Sequence, residues 1–131
     1  MPSKLSRSKI VKKLDAIFSQ YIRIKDADHN GNVTCFTCGK VEHYKKGMQC
    51  GDFQSRKHYA TRWDEQNCKV QCAGCNVFRY GEQFLFAKYL DERFYAGLSD
   101  ELYFKSKQIV KFSNIEIEEM ILKYKNLVDS M

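Results

Sequence analysis

The sequence predicts an α+β fold: a few short strands and a loop held by zinc, with a basic helix before them and further helices after. Three observations lead there. Two CxxC pairs, Cys35/Cys38 and Cys72/Cys75, bracket the middle of the chain. Apolar residues recur at helical spacing on either side of that segment, and only short extended runs lie within it.

Two thiolates separated by two residues on a tight turn can reach one ion, and two such pairs complete a tetrahedral shell of four sulfurs. Gly39 after the first pair and Gly74 within the second permit the turns a knuckle needs. The gap of roughly 30 residues between the pairs exceeds the common ribbon spacing, so the loop carries something more. A closed four-sulfur site does no chemistry itself. It contributes folding energy, about 10–16 kcal/mol of metal binding in small zinc peptides. The competing readings are disulfides and redox CxxC motifs; iron can also occupy four thiolates. Cys50 and Cys68 are left over and read as small buried apolar residues, with a place near the metal as the alternative.

Ile10, Val11, Leu14, Ile17, Phe18, Tyr21 and Ile22 predict an amphipathic helix from Ser6 to Arg23 with a basic polar face. The following DADHNGNVTC matches the first two-thirds of a calcium loop through Asp26, Asp28, Asn30 and Gly31. Thr37 then stands where the bidentate Glu belongs, so the segment reads as a helix stop and tight turn. Residues 32–36 predict a short strand. Residues 41–46 and 47–53 predict a hairpin turning at Gly47. Residues 56–64 read as an irregular or short helical loop, and 67–71 as another extended segment. The second knuckle opens a helix. Residues 82–94 predict a helix presenting Phe84, Leu85, Tyr89 and Leu90, which Gly97 ends. Ser99 is a candidate cap for a helix through Leu102, Phe104 and Ile109. Ser113 and Glu116 have capping-box spacing and open a last helix with Ile117, Met120, Ile121 and Tyr124 inward. The organisation is one domain, 1–131, comprising a basic helix (1–25), a zinc-bound core (26–81) and C-terminal helices (82–131).

The 131 residues carry a formal net charge of +6, an apolar fraction of 44% and abundant aromatics, as expected of a folded domain. Up to Lys25 seven cations face Asp15 alone, Lys4 and Arg7 among them, and the core adds Lys45, Lys46, Arg56, Lys57, Arg62, Lys69 and Arg79. The tail after Gly81 is slightly acidic. Positive charge concentrated on one helix and the core suits a polyanion such as DNA; solubility alone is the plainer explanation. No stretch reads as a secretory signal or a membrane span, which points to a reducing cytoplasm, where thiols bind metal rather than pair.

A hairpin, an irregular loop and a helix between zinc pairs is the plan of the ββα-metal (HNH-like) finger. The residues MQCGDFQSRKHYATRWDEQN, then QCAGCN, resemble the NinG/Rap family of phage recombination proteins. Its pattern is a CxxCGK knuckle, GH(F/Y)xSR, RWxExN and QCxxCN. The basic first helix, the D-A-D-x-N-G turn, GEQF leading into YLDERF, and the last helix extend the resemblance over nearly the whole chain.

That resemblance implies an endonuclease acting on branched or junction DNA, in the host bacterial cytoplasm, by metal-assisted phosphodiester hydrolysis with magnesium or manganese. In such fingers the first motif residue is the base, the middle Asn pins the loop and the last residue ligates the metal. Those positions fall on Asp52, Asn67 and Asn76, so Asp52 and Asn76 are the implied ligands of the catalytic ion. Symmetric junction cutting would suit a homodimer.

Asp52 departs from the family, whose GHF is GDF here. An ordinary Asp is a weak proton acceptor at neutral pH but a good hard-metal ligand. Three readings stay open: Asp52 binds the ion and acts with its water; His58, or His43, is the base; or the finger is catalytically dead and retained for binding. Arg56 suits a scissile phosphate, or offsets the charge of four thiolates. Arg62, beside Trp63, does the same or packs structurally. Asn67 as a turn residue and Asn76 as a helix cap are the plainer alternatives. The rival function is a non-catalytic zinc module that binds branched DNA and recruits recombination partners, and behind it stands a purely structural interaction domain.

Overall fold

A computed structural model describes residues 5–131; Lys4, counted above with the basic segment, lies outside the described residues. The element order is α1 (Arg7–Ile24), β1 (Asn32–Thr34), β2 (Val41–His43), β3 (Met48–Asp52), α2 (Tyr59–Arg62), β4 (Cys68–Cys72), a wide π-type turn (Gly74–Phe78), α3 (Gln83–Arg93), α4 (Leu98–Ser106) and α5 (Asn114–Asp129). Helices and two small antiparallel strand pairs make this an α+β fold.

The first helix buries Ile10, Val11, Leu14, Phe18 and Ile22 on one stripe, as its 3.6-residue period requires. That stripe meets Ile117 and Tyr124 of α5, and Trp63 and Cys68 join them in one cluster. The rings of Phe18 and Tyr124 meet edge-on, 5.0 Å apart. The capping box opening α5 forms in full: Ser113 Oγ accepts from the Glu116 N–H at 3.1 Å, and Glu116 accepts from the Ser113 N–H at 3.0 Å. A second cluster joins Val33 and Met48 to Cys35, Cys72 and Cys75. A third joins Phe86 and Leu90 of α3 to Leu98 and Leu102 of α4.

The turn after α1 closes through Asp28, whose Oδ1 accepts from the N–H of Asn30 and of Asn32, both at 2.9 Å. The strand pairing differs from the expected hairpin. The 41–46 and 47–53 segments do not pair with each other: β2 pairs with β1 and β3 with β4. The first cysteine turn folds β2 back onto β1 (Gly39 there has φ +81°, the left-handed region glycine tolerates), which leaves β3 free for β4.

The C-terminal helices also correct details. Phe86, not Phe84, is the buried aromatic of α3; Phe84 is 80% exposed. Gly97 occupies the cap position of α4. Ser99 lies inside that helix, its hydroxyl donating to Asp91 at 2.9 Å. Phe104 and Ile109 face solvent, and Ile109 follows the helix end.

Candidate functional site

The four cysteines of the two CxxC pairs meet, their sulfurs all within 4.8 Å of one another. Cys38 and Cys72, 34 positions apart, bring their sulfurs to 3.6 Å. That is close to the ~3.8 Å edge of a tetrahedron with zinc–sulfur bonds of about 2.3 Å. Cys35, Cys72 and Cys75 are buried and Cys38 is exposed. Burial opposes ionisation of Cys35, but the backbone N–H groups of Cys72 and Cys38 outweigh it and bring the thiol down to about 6. Burial, reinforced by the neighbouring cysteine thiols, pushes Cys38 up to about 12. Such a group cannot ionise throughout without a cation to share, and a divalent ion is the natural relief. The donor set fits structural zinc. The cation facing these sulfurs is Arg79, with Nη2 3.2 Å from Cys75 Sγ; Arg56 lies elsewhere.

Asn67 is fully buried at the mouth of β4. Its Oδ1 accepts from the Gln54 N–H at 2.8 Å, while Nδ2 donates to the carbonyls of Gln54 at 3.0 Å and Thr61 at 3.2 Å. One amide therefore ties the start of the loop to α2. Such buried bonds are costly to leave unmade, so the loop keeps one conformation.

Asp52 ends β3 directly opposite Cys68 of β4. The Cys68 thiol donates to its Oδ1 at 3.0 Å, and Arg56 Nε lies 3.5 Å from Oδ2. Burial pushes the Asp52 carboxyl above its ordinary range; the Cys68 hydrogen bond and Arg56 oppose that, and the charge of Asp15 adds to it. Asp52 is thus a better proton acceptor than an ordinary Asp.

The structure does not bring Asp52 and Asn76 together. Asn76 sits in the turn after β4 and donates to Gln49 Oε1 at 2.7 Å. Gln49 and Asp52 are three residues apart on β3, so their side chains leave opposite faces of the strand. His58 precedes α2 at its cap position. Burial, then Lys107 and Lys57, hold its imidazole below the usual range, leaving it neutral at neutral pH. His43 stacks on Tyr44, and its Nδ1 accepts from the Lys45 N–H at 3.2 Å.

Arg62 is structural. It donates to Asp15 through Nε and Nη2 and to the Arg56 carbonyl through Nη1 at 2.8 Å. Asp15 also accepts from Trp63 Nε1 at 2.9 Å. Residue-by-residue reading missed this role of Asp15, although it is the lone acid in a basic helix, which was a usable signal. Beside it opens a cleft of about 370 Å³ lined by Lys12, Asp15, Ala16, Ser19, Arg23 and Arg56. Asp15 is engaged by Arg62 and Trp63, and Arg56 faces Asp52 at 3.5 Å and Asp15 at 4.0 Å, so the positive charge left over in the cleft is chiefly that of Lys12 and Arg23. A larger cavity of about 490 Å³ lies between the end of α1 and β1. Its Asp26 and Asp28 are matched by Lys25 and Lys69, whereas the smaller cleft has three cations against one acid and so matters more for a phosphate.

The model of the bacteriophage lambda NinG protein family matches residues 3–131. The chain belongs to the NinG family. No curated protein and no solved structure matches it. The motifs of this NinG-family chain thus occupy three places: cysteines at the four-sulfur cluster, RWDEQN in the loop anchored to α1, and GDF on the strand face turned towards Cys68.

Proposed function

We propose that this NinG-family chain binds branched or junction DNA in phage recombination, as a module ordered by structural zinc. The observation that carries the reading is the cleft in which Lys12 and Arg23 of α1 converge with Arg56 of the loop. Guanidinium and ammonium groups around a concavity match the charge of a phosphate backbone, and Arg56 supplies the planar fork that phosphate oxygens favour.

A second reading, metal-dependent cleavage, is favoured by one arrangement. Asp52, with its raised proton affinity, touches the same Arg56 that lines the cleft. In that reading Asp52 holds a divalent ion, magnesium or manganese, or takes a proton from water, and Arg56 stabilises charge on the phosphate. Asn76, turned to the other face of β3, is left with a structural part.

The decisive experiment measures binding and nicking of a synthetic four-way junction against linear duplex, with and without magnesium or manganese. Preferential junction binding that weakens steeply with salt is expected. Negligible affinity at low salt removes both readings. Metal-dependent nicking lost in Asp52→Asn, with binding retained, establishes the second; binding without nicking leaves the first alone.

A further inference from the structure

We propose that Cys50, Asp52 and Cys68 form a second metal site, separate from the four-cysteine centre and suited to a thiophilic divalent ion such as zinc. The two sulfurs and a carboxylate oxygen of Asp52 all lie within 4.8 Å of one another, a spread meeting the same bound as that of the four-cysteine group. The β3–β4 register produces this: Asp52 pairs with Cys68, and Cys50, two residues earlier on β3, shares its face.

The oxygens of Asp52 divide their work. Oδ1 meets Cys68 Sγ at 3.0 Å, and Oδ2 faces Arg56 Nε at 3.5 Å. Oδ1 is then the ligand atom, while Arg56 orients the carboxylate from the far side, as outer partners of metal ligands commonly do. The charges also match. Two thiolates and a carboxylate exceed a divalent ion by one negative charge, which Arg56 balances. Binding forms two metal–sulfur bonds and one metal–oxygen bond, and the thiol protons pass to solvent.

The donor set selects the ion. Two sulfurs favour zinc over magnesium or manganese, which prefer oxygen shells. Three protein ligands leave one tetrahedral position for water or a phosphate oxygen, the arrangement of reactive rather than closed zinc sites. Cys50 is partly exposed, which gives that position a route to solvent. The site stands or falls independently of DNA cutting, since a metal count tests it directly.

The test is native mass spectrometry of the full chain, expressed with added zinc and kept reduced. Two zinc ions per wild-type chain are expected, and one in Cys50→Ser and in Asp52→Ala, each with a wild-type circular dichroism spectrum. Cobalt gives a second readout. The second equivalent of cobalt should add thiolate-to-metal charge-transfer absorption in the wild type, whereas in Cys50→Ser the absorption should stop rising after the first equivalent. One zinc per wild-type chain, a second ion that persists in both variants, or a Cys50–Cys68 disulfide in the freshly purified protein overturns the proposal.

Discussion

Asp15 holds Arg62 in a two-pronged ion pair, with Nε 3.1 Å from Oδ1 and Nη2 2.6 Å from Oδ2. The pair, largely shielded from water, fastens the RWDEQN loop to the first helix. Removing one partner of a shielded pair strands the other's charge, at about 3 kcal/mol or more. Asp15→Ala is therefore expected to destabilise the fold by about 3 kcal/mol in urea unfolding, with Trp63 fluorescence reporting a loosened loop. A loss below about 0.5 kcal/mol would show the link to be energetically idle.

Cys72→Ala breaks the metal centre and exposes the cluster around Met48 and Val33. The expected outcome is loss of cooperative thermal unfolding, and the same loss on treating the wild type with a strong chelator. An unchanged unfolding curve after verified metal removal would make the four-cysteine group dispensable.

Gly51 has no room for a side chain. A Cβ there would lie 1.9 Å from Oε1 and 2.6 Å from Cδ of Gln71. Gln71 cannot swing away, because it is fully buried and its Nε2 donates to Thr37 at 3.0 Å and to the Gly81 carbonyl at 2.9 Å. Gly51→Ala should cost about 1–3 kcal/mol through overpacking, read by denaturant titration.

Replacing Lys12, Arg23 and Arg56 singly with Ala should weaken junction binding for every DNA sequence alike. The slope of log affinity against log salt should fall by about one for each phosphate that is no longer neutralised. An unchanged slope for all three would move the DNA surface elsewhere on the molecule.

The Glu116 carboxyl is held below its ordinary range by the Ser113 backbone N–H and then the Ser113 hydroxyl. A depressed native pKa adds stability above the unfolded value, and that contribution is lost as pH falls through the native value. Wild type should exceed Glu116→Gln in melting temperature at neutral pH, and the gap should close as pH drops below about 4. A gap independent of pH would assign the effect to shape rather than charge.

Much of this was legible in the sequence, and what was not had a definite cause. The stripe of α1 and the Ser113–Glu116 cap follow from local spacing, because period and capping act over a few residues; the meeting of the four cysteines, whose pairs stand 34 positions apart, follows instead from the chemistry of two CxxC turns that together make one four-sulfur shell. Strand pairing did not follow. Gly47 signals a turn, but a turn does not say which strands lie on either side of it, and the knuckle at Cys35–Cys38 gives β2 to β1. The same limit applies to Asp52 and Asn76. Their motif positions suggest one site, yet a strand's alternation sends Asp52 and the Gln49 partner of Asn76 to opposite faces, and that depends on register. Cys50 and Cys68 read singly as small apolar residues; only the β3–β4 pairing brings them together beside a carboxylate. Phe86 and Phe84 are two positions apart on one helix, so composition alone did not choose which would be buried.

The contact between α1 and α5 has a consequence for synthesis. A ribosome that has delivered residues 1–112 has released a helix whose Leu14, Phe18 and Ile22 still lack Ile117 and Tyr124 to cover them. The two cysteine turns, complete by Cys75, can meet while the side of that stripe that α5 covers is still bare. The nascent chain therefore passes through a stage with its cysteine turns complete and part of its apolar surface open, when chaperone capture or clumping competes with the arrival of α5.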